Sequence, residues 1–370
     1  MAMTRRDFLN KAGLAAGGLG LASVLAACGG GTTPTSAASG GTVPGTGSPG
    51  RGTPGGATPG GATPGGASKP SRKFSLGYLT LGWAGIEITH KLDLLKQRGW
   101  NTEWQSVGPI NGLINAYASK QVELIDMALV LAAQMYENGV PLTIFGTAVA
   151  TLGSIVVPED SSIKSVTDLK GRKVGGIPGS ATAQDVNASL RKVHGFDLFT
   201  DTQFVQATAP ADLIGLMQKR DVEAGFVWEP ITSQLKVNAA YRVLASQQEL
   251  WEQASGTSTS QIHVVYVTTP EIAREYRALL ADVNQCQAEV ADLWQKKDAK
   301  AIDAIMQVTQ LPKDVVEMAL GQTNPLFGLT DEHIQTILTQ LKLNRENGTI
   351  LKSDSWLDPA KVSPDLFFRL

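Results

Sequence analysis

One stretch, Gly171 to Val186 (G-R-K-V-G-G-I-P-G-S-A-T-A-Q-D-V), constrains the fold more than any other. A short apolar strand, Arg172 to Gly176, runs into a Gly/Pro turn. Ser180 or Thr182 then opens a helix that continues to about His194, with Gly195 as its stop signal. The first backbone N–H groups of such a helix have no acceptor inside it. They point, with one or two hydroxyls, into whatever cavity lies beyond the strand, and they serve a polar or anionic group well. Taken alone, a G-S-x-T helix start is more often a capped end than a ligand site. Its surroundings therefore decide what it means.

The same β-then-α rhythm runs through the chain. Phe74 to Leu79 predicts a strand. The loop Thr80 to Gly85 leads into a helix ending near Gly99, and Trp100 to Val107 predicts a second strand. A helix follows from Gly108-Pro109-Ile110-Asn111 to about Lys120. Leu124 to Ala128 is a third strand, a helix runs to Asn138-Gly139, and Pro141 to Ala150 is a further strand. This is the pattern of a largely parallel, doubly wound sheet. The folded part, Lys73 to Leu370, exceeds what one small core covers and predicts two lobes. An internal echo agrees: Leu113-Ile114, Lys120, Val122 and Glu123 recur as Leu213-Ile214, Arg220, Val222 and Glu223.

The N-terminus reads as an address. Arg5-Arg6 in T-R-R-D-F-L is a twin-arginine signal, followed by Lys11 and the small, apolar run Leu14 to Ala27, too short to span a bilayer stably. Leu25-Ala26-Ala27-Cys28 resembles the lipobox of bacterial lipoproteins, which implies cleavage before Cys28 and lipid on its sulfur and new N-terminus. Removing residues 1–27 takes away three basic residues and one acidic one, so the net charge goes from −2 to −4. That balance gives no reason to expect nucleic acid or an acidic membrane surface as partner. Residues 28–72 then form a tether with three copies of T-P-G-G-A. It holds too little apolar surface to offset chain entropy. As a flexible linker it reaches about 35 Å root-mean-square from its anchor.

Beyond Cys28 the one cysteine is Cys286, so no intrachain disulfide can form in the mature chain. Cys286 lies on an apolar stripe with Ile272, Tyr276, Leu279, Val283, Val290 and Leu293, which predicts a helix-core thiol. His90, His194, His263 and His333 lack the spacing of a helical zinc site. No phosphate loop and no G-x-S-x-G elbow is present. The reading is a binding protein with no enzyme activity, no metal and no cofactor.

Several segments carry a family resemblance: V-E-L-I-D-M-A (Val122 to Ala128), G-V-P-L (Gly139 to Leu142), D-L-K-G-R-K-V (Asp168 to Val174), P-G-S-A-T (Pro178 to Thr182) and V-E-A-G-F-V-W-E-P (Val222 to Pro230). Between about Lys73 and Pro270 the chain resembles the substrate-binding proteins of bacterial ABC importers for taurine, alkanesulfonates, nitrate and thiamin-type pyrimidines, with riboflavin-binding members included. The resemblance implies an α/β type II periplasmic-binding-protein fold, two doubly wound lobes joined by two crossing segments and closing like a hinged trap. The crossings are expected near Gly153 to Pro158 and Ser260 to Thr268. Lobe 1 is then 73–158 plus 260–370, and lobe 2 is 159–259. The implied partners are permease subunits with a separate ATPase, for a monomer held extracytoplasmically on the cell membrane by its lipid.

The cleft is expected at the carboxyl ends of strands. That nominates Trp83, Asn111, Ser180, Thr182, Trp228 and Glu229 as ligand-binding residues. The tryptophans would stack, the hydroxyls and Asn111 would hydrogen-bond, and Glu229 would bind a polar edge or cap the helix starting at Pro230. None of these loops carries Lys or Arg. The expected ligand is a neutral nitrogen heterocycle, a flavin such as riboflavin or a thiamin-precursor pyrimidine. Alkanesulfonate, taurine or nitrate is the alternative, because helix starts alone can hold anions. A pyrimidine-synthesising enzyme of the same fold is the alternative of another class. It would call for a cluster of cysteines.

Overall fold

The computed structural model of the chain describes residues 70–80, 82–348, 350–353 and 366–370. The signal peptide, Cys28 and nearly all of the tether lie outside the described residues.

The first lobe opens with β1 (Phe74–Leu79), α1 (Ile86–Lys91) and α2 (Leu94–Gln97). The single helix expected to end at Gly99 is thus two short ones. Asp93 between them takes a left-handed conformation, φ 51°, which a helix interior does not admit. β2 (Thr102–Val107), α3 (Ile110–Ala118), β3 (Leu124–Ala128), α4 (Leu129–Glu137) and β4 (Thr143–Ala150) follow as the apolar runs predict. All eight residues of β4 are buried, as expected of a strand covered on both faces.

The chain then crosses and builds a second sheet. Its elements are β5 (Gly153–Pro158), β6 (Lys173–Gly176), α5 (Ala181–His194), β7 (Gln203–Gln206), α6 (Pro210–Gln218), β8 (Ala224–Trp228), α7 (Ile231–Ala239), β9 (Tyr241–Ser246) and α8 (Gln247–Ser255). It returns through β10 (Ile262–Thr268) into the first sheet. A helical tail follows: α9 (Pro270–Glu275), α10 (Arg277–Gln295), α11 (Ala299–Thr309), α12 (Lys313–Gln322) and α13 (Asp331–Asn347). Cys286 is fully buried on the inner face of α10 with Leu279, Val283 and Val290.

The strand orders are β2-β1-β3-β10-β4 and β7-β6-β8-β5-β9. Each sheet is parallel apart from what the crossing brings. β10 runs antiparallel to β3 and β4, and β5 runs antiparallel to β8 and β9. Gly153 to Pro158 is therefore a strand of the second sheet. The first crossing lies just before it, at Thr151–Leu152. The reason is compositional: G-S-I-V-V-P is apolar enough to be buried throughout, and a buried strand needs ladder partners on both sides.

The internal echo is structural. Lys120 and Arg220 both end their helices in the left-handed region, at φ 61° and 60°. Glu123 and Glu223 then enter β3 and β8 in the same way. Glu123 accepts from the Ser75 amide at 3.1 Å and pairs with Arg72. Glu223 accepts from the Lys173 amide at 3.2 Å and pairs with Arg172. A Cβ on Gly77 would press on Leu113 and Val122; one on Gly175 would press on Leu213 and Val222. Two lobes of one design thus face each other across the crossings, with their strand ends and helix starts turned toward a common cleft.

Candidate ligand-binding cleft

A cleft lies between the lobes. Lobe 1 contributes Leu79 at the end of β1, Asp126 and Met127 on β3, Leu113 on α3 and Leu131 on α4. Lobe 2 contributes Ser180, Ala181 and Thr182 at the start of α5 and Trp228 at the end of β8. The first crossing adds Leu152, and β10 adds His263 and Val264. No Lys or Arg lines it among the described residues.

The α5 start is built as its sequence predicts. Ser180 is the N-cap; its hydroxyl donates to the Ile177 carbonyl at 2.8 Å and accepts from the Ala183 amide at 3.3 Å. That hydroxyl is occupied by the cap. The donors that α5 offers the cleft are the amides of Ala181 and Thr182, which have no acceptor within a helix. Thr182 packs tightly against Gly153, where a Cβ would come within 2.3 Å of its methyl group and 2.5 Å of Gln247 Oε1. Gly153 is thus the residue that lets the crossing pass beneath α5.

A buried polar network fixes α5 from behind. Asp185 accepts from Asn344 Nδ2 at 2.7 Å, and from Gln340 Nε2 and Gln247 Nε2 at 3.3 Å each. Gln247 Oε1 in turn accepts from the Gly153 amide at 3.0 Å. α13 of the tail therefore grips a helix of lobe 2. His263 stands 3.7 Å from Asp185 through Nδ1, a nitrogen with no hydrogen-bond partner.

Of the six nominated residues, the structure brings Ser180, Thr182 and Trp228 to the cleft. Trp83 belongs to the core: it is 1% exposed, packs edge-on against Trp294 at 5.4 Å and donates to Thr323 Oγ1 at 3.2 Å. Its φ of 55° turns the ring inward from its loop. Asn111 is exposed on α3 and lies off the cleft lining. Glu229 is buried and does not line the cleft; its carboxylate accepts from the Ser233 amide at 3.2 Å, capping α7. Burial raises its pKa, and the hydrogen bonds to Ser233 oppose that rise.

Two polar residues of the lining escaped the loop-based reading, Asp126 and His263. Both lie inside strands. Asp126 is 4% exposed, and its Oδ1 has no hydrogen-bond partner. Burial and the neighbouring Glu87 carboxylate raise its pKa well above the usual range. Glu87, also buried, is raised by desolvation to about 7, against hydrogen bonds from backbone amides that include Gly85 at 3.0 Å.

Residues 116–283 match a model described as NMT1/THI5 like. The matched segment is somewhat under half of the chain. It takes in β3 to β10 and most of the cleft. The putative aliphatic sulfonates-binding protein of Escherichia coli K12 is 29% identical over 171 residues, 46% of this chain and 50% of that protein. The chain thus spans about half the length of this relative. The taurine-binding periplasmic protein of the same organism is 22% identical over 233 residues, 62% of this chain and 70% of that protein. In structure, the periplasmic aliphatic sulphonate binding protein SsuA of Escherichia coli aligns with a TM-score of 0.65 at 23% identity, covering 75% of this chain and 88% of that one. The fold is that of the periplasmic binding proteins. The expected flavin or pyrimidine ligand finds no support: the named relatives are sulfonate and taurine binders, and one of the two stacking rings is in the core.

Proposed function

We propose that the protein is the solute-binding component of an ABC importer and captures a small aliphatic sulfonate between its lobes. The observation that carries this reading is the start of α5, whose residues Ala181 and Thr182 line a cleft walled mostly by aliphatic side chains, with Asp126, His263 and Trp228 among them. A sulfonate offers three acceptor oxygens and one negative charge, and a helix N-terminus offers amides and a partial positive charge. Leu79, Leu113, Met127, Leu131 and Leu152 suit the alkyl part. The relatives' names agree with this ligand class.

In this reading the protein binds without catalysing and delivers its ligand to permease subunits served by a separate ATPase. It works outside the cytoplasm as a monomer, exported through Arg5-Arg6 and anchored by lipid on Cys28. The rival enzyme of the same fold would call for a cluster of cysteines, and the described residues hold one cysteine, Cys286, buried on α10. A thermal-shift panel of ethanesulfonate, taurine, nitrate, riboflavin and an aminomethylpyrimidine tests the class. A sulfonate should raise the melting temperature most. Stabilisation by a heterocycle alone would overturn the proposal.

A further inference from the structure

One side chain of the described cleft lining can become cationic, His263. It lies on β10, which returns the chain to lobe 1, and is 6% exposed. Its Nδ1 is buried without a hydrogen-bond partner, 3.7 Å from Asp185 Oδ2. Nε2 has no hydrogen-bond partner either, and it is not sealed from solvent, so the cleft is the open side of the ring. Asp185 belongs to α5 of lobe 2, four residues after Ala181. The two share a helix face and lie about 6 Å apart along the axis. The imidazole therefore sits about one helical turn from the amides at the α5 start. A helix N-terminus and a buried, unpartnered nitrogen thus meet at one end of the cleft.

We infer that His263 is the cationic contact of the cleft: as an imidazolium it donates through Nε2 to the anionic head group of the ligand, with Nδ1–H turned to Asp185, so that capture takes up a proton from solvent. This rests on the sulfonate reading above and deepens it. A neutral ring with its proton on Nδ1 presents a lone pair at Nε2, which repels a sulfonate oxygen; protonation makes Nε2 a donor. Asp185 is a positioning residue that orients the ring and faces its charge. The groups around the ring permit this. β4, on one side of β10, has no charged residue. β3, on the other, carries Asp126, whose proton is held by burial and by the Glu87 carboxyl, so its charge does not compete for the imidazolium. α13 and α8 face Asp185 with the neutral amides of Gln340, Asn344 and Gln247, and the half-buried Arg345 follows on α13. α4 carries Glu137 in its last turn, where it accepts from the Lys352 and Ser353 amides. The bound anion favours the charged ring, so affinity falls as pH rises across the range in which histidines lose their charge, about pH 5 to 8.

The chain has four histidines, and His263 is the one in the described cleft lining. Proton NMR of the imidazole Cε1–H signals across pH 5 to 8, with and without saturating ethanesulfonate, therefore reads the effect on the wild-type protein. The titration curve of one histidine should move to higher pH with ligand, and that signal should be missing from His263→Gln. By calorimetry, wild-type affinity for ethanesulfonate should be about ten-fold or more higher at pH 5.5 than at pH 8. His263→Gln should bind weakly at both, with the ratio near one. If ethanesulfonate binds but moves no histidine curve, or if His263→Gln keeps the wild-type ratio, the role of His263 is overturned while the sulfonate reading stands. If ethanesulfonate binds at neither pH, the sulfonate reading fails and this inference falls with it. The wild-type spectra decide the matter even if His263→Gln does not fold.

Discussion

Glu87 offers a prediction whose size follows from the structure. Its carboxyl is buried in lobe 1 and its pKa is raised to about 7, first by desolvation, against hydrogen bonds from the backbone around Gly85. In the unfolded chain the same group titrates near its ordinary value of 4.5. Between these two values the folded state binds the proton and the unfolded state does not, so stability falls as pH rises through this window. Above about 7 the loss is complete. A shift from 4.5 to about 7 corresponds to roughly 3 kcal/mol. Asp126 adds a loss of the same sign, because its pKa is raised too. Glu87→Gln removes the charge and keeps an oxygen that accepts from the Gly85 amide. Urea denaturation at pH 4.5 and pH 8 should show the variant gaining about 3 kcal/mol on the wild-type protein between the two. A variant that is less stable than wild type by the same amount at both pH values would refute the reasoning.

Gly153→Ala forces a methyl group against Thr182 and Gln247, so it should cost about 1–3 kcal/mol of stability; it should also weaken ligand binding, and a denaturation curve with a titration checks both. Trp83→Ala should lower stability by about 3–5 kcal/mol and leave the affinity of the folded fraction unchanged, whereas Trp228→Ala at the cleft should weaken binding; calorimetry beside a thermal melt separates the two, and the reverse pattern would contradict the placement. Cys28→Ala should move the protein from the membrane fraction to the soluble extracytoplasmic fraction, and continued sedimentation with membranes would count against the anchor.

Much of the fold was legible because local signals and tertiary demands agree. L-I-D-M-A is short and apolar enough to be β3 whatever surrounds it, and Ser180 and Gly195 bound α5 by cap chemistry that needs no tertiary partner. The echo of Glu123 and Glu223 was legible as spacing; its meaning, a carboxylate clamped on the neighbouring strand's amide, required the structure. The α1–α2 break was missed because Asp93 adopts a conformation that its neighbours do not announce.

The site was harder to read. Trp83 sits on a loop at a strand end, as a cleft wall would, but Trp294 and Thr323 hold its ring inside, and both are more than two hundred residues away in sequence. Glu229 turned inward to cap α7, the alternative its neighbour Pro230 already offered. Asp126 was visible throughout as the acid in an apolar strand. Its place in the cleft lining, beside the buried Glu87 carboxyl, required the structure. The charge argument counted side chains alone, whereas the proposed sulfonate reading rests on the backbone amides at the start of α5.

The most direct test of the central claim is titration calorimetry of ligand-stripped protein with taurine and, separately, with riboflavin. The account predicts one-to-one binding of taurine at micromolar affinity or tighter, with no heat from riboflavin beyond dilution. Tight binding of riboflavin with no response to taurine would contradict it.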